Sequence, residues 1–196
     1  MLLLPNIVVN TLVLAAMYIL ASLGFAFFFN MLGTINLAHG AFYMMAAYIT
    51  YFLSSSAGLN SWIAMLLSAV IMAGVGLLME RICFRPFFTE FNRVVMISVA
   101  IMTMLQTAAT SISGSKTMSI DAFASGVTDF GIVTVSNEKL VTFAVGILLL
   151  AVTLLIVYRT KLGTEMEAVA QDRLGAALQG IPIHKVSALV CALGFA

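Results

Sequence analysis

Charged residues are scarce in this chain, and long stretches have none. Only 9% of the 196 residues are Asp, Glu, Lys or Arg, against about 25% in a typical soluble domain. None occurs before Glu80, from 94 to 115, from 140 to 158, or after Lys185. A charge at mid-bilayer costs about 2.5–3.5 kcal/mol. With a mean hydropathy of +1.12, the pattern excludes a soluble domain and predicts an integral membrane protein.

Other shortages exclude further classes of protein. The two cysteines, Cys83 and Cys191, are too few and too far apart in sequence to suggest a metal site or a redox pair. A net charge of +1, with no basic patch among aromatic residues, gives no support for a nucleic-acid partner. Residues 114–117 match only the tail of a phosphate-binding loop. We therefore expect no enzymatic activity, no ATP bound by this chain, no cofactor and no metal.

Six apolar runs are predicted to form membrane helices, at about 20 residues per crossing. The N-terminal run lacks the basic start and cleavage site of a signal peptide, so it is expected to be retained. The sixth run is still apolar at Ala196, and the chain is therefore expected to be a fragment of a longer protein, truncated within its sixth span. The runs are residues 7–29, 37–53, 61–79, 94–112, 140–158, and 186 onward.

The connections between these runs carry nearly all the charges. Seven of the nine Lys and Arg residues lie in 80–93 and 159–185, and two lie in 113–139. Span parity puts 80–93 and 159–185 on one side of the membrane, and the positive-inside rule predicts that this side is cytoplasmic. Glu80 with Arg81 is expected to be an interfacial anchor at a span end, and 132–135 a short strand.

The segment 159–185 is predicted to contain one amphipathic cytoplasmic helix of about four turns. Its apolar face would include Met166, Val169, Leu174 and Leu178, with Glu165, Gln171 and Asp172 opposite. Thr164 and Glu167 have capping-box spacing, Gly180 would end the helix, and Pro182 would open the next one. The helix is either an ordinary connection or the place where a partner binds.

A second polar stretch, residues 33–40, interrupts the first apolar runs. Asn36 and His39 either line a cavity or bond to a broken backbone that Gly33 and Gly40 permit, or the stretch is a loop at the cytoplasmic surface. Gln106, inside the fourth run, has the same ambiguity, because a lone glutamine in a span also suits a hydrogen bond between helices.

Three blocks follow one another along nearly the whole chain. The first block is residues 32–48, with the run Asn36-Leu-Ala-His-Gly40. The second is Glu80-Arg81 with Arg85-Pro86 and the span 94–106. The third is Arg159-Thr-Lys-Leu-Gly163 with 167–172 and Gly180-Ile181. Together these blocks resemble the membrane permeases of branched-chain amino acid ABC importers. The resemblance implies an all-α polytopic transmembrane bundle, with residues 1–196 forming one permease domain that is incomplete at its C-terminus.

The resemblance also implies partners and a location. Residues 159–185 would be the cytoplasmic coupling loop that docks on ATP-binding subunits. Its coupling residues would be Glu167, Gln171 and Asp172 along the exposed side, with Gly163 and Gly180 setting the helix ends. A second permease subunit, homologous or identical, and a periplasmic or extracellular substrate-binding protein would complete the importer in the lipid of the cell inner membrane. The binding protein would face loops 54–60 and 113–139.

The expected activity is uptake of leucine, isoleucine or valine by alternating access, with ATP hydrolysed on a separate chain. Gly33, Asn36, His39, Gly40 and Gln106 are the residues expected along the translocation pathway. Two alternatives stay open: a similar permease for urea or short-chain amides, and a membrane channel or scaffold subunit without coupled transport. A channel is disfavoured because no carboxylate ring or repeated filter sequence is present.

Overall fold

The computed structural model of the chain describes residues 3–33, 35–87, 90–114, 118–119, 126–129 and 134–196. These residues form mainly helices, joined by short turns and one two-stranded hairpin. The helices are α1 (Leu3–Leu32), α2 (His39–Ser55), α3 (Ser61–Met79), α4 (Phe91–Ser113), α5 (Asn137–Arg159), α6 (Lys161–Gln171), α7 (Arg173–Leu178) and α8 (Ile183–Phe195).

Four helical stretches within the described residues are long and apolar enough to cross a membrane. They are Asn6–Asn30, Ser61–Phe87, Phe91–Ser113 and Asn137–Arg159, and they coincide with the first, third, fourth and fifth predicted runs. The second run forms α2 and the sixth forms α8, with 17 and 13 residues. The all-α polytopic architecture predicted from the sequence is confirmed.

Contacts between helices place the connections at two opposite ends of the bundle. At one end, Lys139 Nζ donates to Asn10 Oδ1 (2.7 Å), and the Tyr48 hydroxyl hydrogen-bonds the Ser113 hydroxyl (2.6 Å). At the other end, the start of α8 packs against the π-helical turn Glu80–Phe84 that follows α3. The two charge-rich connections, 80–93 and 159–185, therefore share one end, as span parity predicted.

Helix α8 packs closely against α1 and α3. A methyl group added at Gly76 would lie 2.7 Å from the Cys191 carbonyl oxygen, and one at Gly24 would lie 2.7 Å from the Gly194 carbonyl oxygen. Small residues permit such backbone approach in membrane bundles. Next to this contact, aromatic rings pack edge to face in the core. The ring centroids of Phe42 and Phe195 are 4.4 Å apart, and those of Phe28 and Phe84 are 4.9 Å apart.

The loop between α4 and α5 contains a small antiparallel hairpin. Strand β1 (Val127–Asp129) pairs with β2 (Thr134–Ser136). The strand predicted at 132–135 thus overlaps β2 at its last two residues, and 132–133 lie outside the described residues.

The single cytoplasmic helix predicted for 159–185 is wrong, because the chain breaks at Asp172. There φ is −150° and ψ is 104°, and the Asp172 carboxylate accepts a hydrogen bond from the Leu174 amide at 2.9 Å, which caps a new helix, α7. The predicted Thr164–Glu167 capping box is also wrong. Thr160 caps α6 by accepting from the Gly163 amide (3.4 Å), whereas the Thr164 hydroxyl donates to the Lys161 carbonyl.

The close packing of α3 on α8 predicts opposite outcomes for two nearby glycines. Gly76→Ala should lower stability by about 1–3 kcal/mol, because the methyl group overpacks the contact with Cys191. At Gly74 an added methyl group would meet no other atom within 4 Å. Gly74→Ala should therefore be neutral, or stabilise the protein by up to about 1 kcal/mol through helix propensity. Thermal unfolding in detergent compares the two variants, and equal melting temperatures would contradict the packing argument.

Candidate functional site

The backbone breaks between α1 and α2, and the break is folded against other helices. Gly33 has a φ of +64°, a left-handed conformation that glycine adopts without strain. Asn36 is only 1% exposed, and its Oδ1 accepts a hydrogen bond from the Ala38 amide at 3.0 Å. The Asn36 side chain therefore bonds to the broken backbone, as one of the predicted alternatives has it, while its Nδ2 has no hydrogen-bond partner among the described residues.

His39, the first residue of α2, packs into the bundle at mid-length of α1. Its Nε2 lies 3.2 Å from the Ala21 carbonyl oxygen, and its ring contacts Phe25 and Phe195 at centroid distances of 6.3 and 6.0 Å. Space for the imidazole depends on Gly24, where a methyl group would lie 2.9 Å from His39 Cε1. His39 thus joins α1, α2 and α8.

Sequence reasoning missed Ser98, which connects this break to α4. Ser98 is fully buried, and its hydroxyl oxygen accepts from the Leu37 amide at 3.2 Å while its own proton goes to the Val95 carbonyl oxygen. The signal in the sequence was a serine within an otherwise apolar part of the fourth run. Its partner, 61 residues away, could not be read from the sequence.

The structure does not bring all the predicted pathway residues together. Asn36 and His39 lie in one cluster, and Gly33 and Gly40 flank it on exposed backbone. Gln106 lies eight residues beyond Ser98 on α4, roughly 12 Å along the axis, and its side chain is exposed on the outer surface of the described chain.

Glu80 is the second residue whose position the sequence did not reveal. Its side chain is only 2% exposed, so the expectation of an interfacial anchor is wrong for Glu80, although Arg81 is exposed. Glu80 begins the π-helical turn, and such turns often lie at functional sites. The Ser187 hydroxyl of α8 lies within interaction range of this carboxyl, yet neither Glu80 Oε1 nor Ser187 Oγ reaches hydrogen-bond geometry with any described residue.

Helix α6 is anchored to the spans by its inner face. Val169 is buried against Phe27, Val186 and Val190. A cavity of about 40 Å³ lies beside this contact, with Phe27, Thr153, Ile156, Val157, Met166, Val190 and Leu193 as its walls. The cavity is too small for a solute of amino-acid size, so its walls belong to the packing of α6.

The two glycines predicted to set the helix ends in 159–185 have different roles. Gly180 has a φ of +84° and ends α7, with the Ile181 amide bonded to the Ala176 carbonyl and the Gly180 amide to the Ala177 carbonyl. Gly163 lies at the start of α6, and its amide donates to the capping residue Thr160. It is buried in the first turn of α6, where a methyl group would overlap the Val157 carbonyl oxygen.

The outer face of α6 and α7 carries the remaining predicted residues. Glu167, Gln171 and Asp172 are exposed, and Gln171 Nε2 lies 3.5 Å from Glu167 Oε1. Leu174 and Leu178, predicted on the buried face, are instead 72% and 82% exposed. The break at Asp172 reorients α7, so these leucines lie on the exposed surface while Ala176 takes the buried position.

The four apolar spans and the polar break between α1 and α2, sealed by buried hydrogen bonds, define a polytopic α-helical membrane protein. The chain belongs to the family of permease components of branched-chain amino acid transport systems, whose family model matches residues 7–196.

Curated relatives of this family align with nearly the whole chain. It is 29% identical to the high-affinity branched-chain amino acid transport system permease protein BraD of Pseudomonas aeruginosa, over 96% of this chain and 66% of that protein. It is 26% identical to the corresponding permease protein LivH of Salmonella typhimurium, over 95% of this chain and 65% of that one. The chain therefore spans slightly less than two thirds of the length of these relatives. No solved structure matches it.

The buried amide of Asn36 predicts a stability effect that can be separated from transport. Asn36→Ala leaves the Ala38 amide without its acceptor, which should cost about 1–3 kcal/mol. Asn92→Ala, at an exposed position on α4, should cost less than about 0.5 kcal/mol.

Folded yield and melting temperature measure the stability of both variants, and uptake per folded molecule measures any further role. If Asn36→Ala melts at the temperature of the parent protein, the hydrogen bond to Ala38 does not stabilise the break. If Asn36 acts only in folding, uptake per folded molecule will be unchanged.

Proposed function

We propose that this chain is the permease subunit of an ATP-binding cassette importer that carries leucine, isoleucine and valine into the cell across the inner membrane. Membership of the branched-chain amino acid permease family supports the solute class. The observation that carries the ATP-driven part is the exposed pair of helices, α6 and α7, at the basic end of the bundle.

The shape of this pair suits a partner that receives a helix in a groove. Leu174 and Leu178 are four residues apart, so they form one apolar ridge along α7. Glu167, Gln171 and Asp172 border the ridge with polar groups. An apolar centre with a polar rim is the usual anatomy of a protein interface, and the partner we propose is the cytoplasmic ATPase subunit.

The attachment of α6 explains how movement of such a partner would reach the spans. Gly163 contacts the backbone of α5 at Val157, and Val169 packs on Phe27 of α1 and Val190 of α8. A shift of α6 would therefore act on three membrane helices at once. The break between α1 and α2, with Gly33, Asn36, His39 and Gly40, is our proposed element for alternating access, and Gln106 our proposed pathway residue.

The proposal places two further partners. A substrate-binding protein would dock at the end of the bundle formed by the 54–60 turn and the α4–α5 loop, opposite the ATPase. A second permease subunit, homologous or identical, would complete the passage within the lipid bilayer.

The exposed ridge of α7 predicts a loss of coupling without a loss of folding. Leu174→Gln with Leu178→Gln puts polar amides where two apolar side chains would be buried. Full burial of one leucine is worth about 1.5–3 kcal/mol, so the double variant should lose at least roughly 10-fold in affinity. Co-purification with the candidate ATPase should fall accordingly, while the melting temperature of the permease should not change. The matched control is Asn92→Gln, which introduces the same side chain at an exposed position of α4, outside the helix pair proposed to dock.

If the double variant retains full association with the ATPase, the ridge is not the docking site. If no association occurs even with the parent protein, the importer proposal fails at its main observation.

The complete proposal is tested by uptake in membrane vesicles that contain the full chain, its candidate partner subunits and the binding protein. We expect ATP-dependent accumulation of leucine against its gradient, inhibited by unlabelled isoleucine and not by urea. Inhibition by urea would assign the permease to urea or short amides. Leucine flux that needs no ATP would indicate a channel, and binding of the ATPase without ATP-dependent uptake of either solute would contradict transport of this class.

A further inference from the structure

Helix α4 carries a polar stripe on the face that points away from the rest of the described chain. Its positions are spaced three or four residues apart and all are exposed: Thr103, Gln106, Thr107, Thr110 and Ser111. On the opposite side of the helix, Val94, Ser98 and Ala109 are buried against the bundle. Met96, Met104 and Ile112 are also exposed on α4, so the outer surface of this helix combines a polar stripe with apolar side chains.

The other spans show what a hydrocarbon-facing surface looks like in this protein. The exposed side of α3 includes Leu66 and Val70, and that of α5 includes Leu148 and Leu155. Lipid is a satisfactory neighbour for these apolar faces. An amide such as that of Gln106 is costly in lipid without a polar partner, so the polar stripe of α4 has a different neighbour from the apolar faces of α3 and α5.

Hydrogen bonding on the stripe leaves mainly acceptors for an outside partner. The Thr107 hydroxyl donates to the Thr103 carbonyl and the Ser111 hydroxyl to the Thr107 carbonyl, both at 2.8 Å, and Thr110 likewise donates to Gln106. With its one proton committed to the helix, each hydroxyl oxygen keeps a lone pair that can accept. Gln106 adds an amide whose side chain bonds to no other described residue.

The stripe is at the depth of the hydrocarbon region, not only at its edge. Thr103 is ten residues before the end of α4 at Ser113, which is roughly 15 Å along the axis. The residues from 94 to 115 carry no formal charge. A neutral, acceptor-rich surface at this depth can replace water around an N–H donor without trapping it as a carboxylate would.

We infer that this face of α4 lines a water-filled passage, in which Thr103, Gln106 and Thr107 accept hydrogen bonds from the N–H donors of the passing solute. The solute class is a small molecule with an ammonium or amide group, as in a zwitterionic amino acid. The inference rests on the proposed transport function, and it adds Thr103 and Thr107 to Gln106 as residues that line the passage. It also ties the passage to the α1–α2 break, because Ser98 on the inner face of α4 binds Leu37.

Thiol labelling in membrane vesicles tests this inference on the full chain with its partner subunits. Thr103→Cys is labelled with a water-soluble methanethiosulfonate, with and without leucine. The control is Leu148→Cys on α5, 11 residues after the start of that helix at Asn137, hence at similar depth. The reagent reacts with the thiolate form of cysteine. Each unit by which desolvation raises the pKa of the thiol lowers the thiolate fraction about tenfold. We therefore expect labelling of Thr103→Cys to be at least about tenfold faster than that of Leu148→Cys.

Leucine should slow the labelling of Thr103→Cys and leave that of Leu148→Cys unchanged, after subtraction of the parent protein with its own Cys83 and Cys191. Equal, slow labelling of both variants would overturn the inference, because lipid, a second copy or another segment of the protein would then cover α4. Fast labelling that leucine does not affect would also overturn it. Parent vesicles that accumulate no leucine would refute the proposed function instead, independently of the labelling rates.

Discussion

Close backbone contact between α8 and the helices α1 and α3 is the constraint on which the rest of this structure depends. Gly24 and Gly76 remove the side chains that would hold α8 away, and the carbonyl groups of Gly194 and Cys191 fill the space. The approach brings Phe195 to Phe42 and to the His39 ring, so it also fixes the start of α2. At the other end of α8, Val186 and Val190 provide the surface that holds α6. The α1–α2 break and the helix pair α6–α7 therefore share one support.

Much of this architecture follows from local features of the sequence. The uncharged runs marked the spans because the cost of a buried charge acts on every residue separately. Gly180 predicted the end of a helix because its left-handed conformation is a property of one residue and its neighbours. The interruption at 33–40 was visible for the same reason, since polar and glycine residues disrupt an apolar period wherever they occur.

The features that sequence missed depend on contacts between distant residues or on competition between local signals. Ser98 and Leu37 are 61 positions apart, and nothing in either segment identifies the other. Glu80 follows an uninterrupted apolar run, and only the π-helical turn and α8 show that its side chain is buried. In the segment 159–185, the apolar period continued through Asp172. This period was stronger evidence for one helix than a single capping residue was for two. The capping bond to Leu174 nevertheless decides the outcome, because it satisfies an amide that a new helix exposes.

The junction between α5 and α6 is tightly packed. Gly163 meets the Val157 carbonyl without room for one methyl group, and Thr160 spans the corner by bonding to both the Ile156 carbonyl and the Gly163 amide. These contacts leave little room for the angle between α5 and α6 to change. Movement of α6 would therefore be passed to α5 with little bending at this corner, and a small displacement of α6 would tilt the whole span.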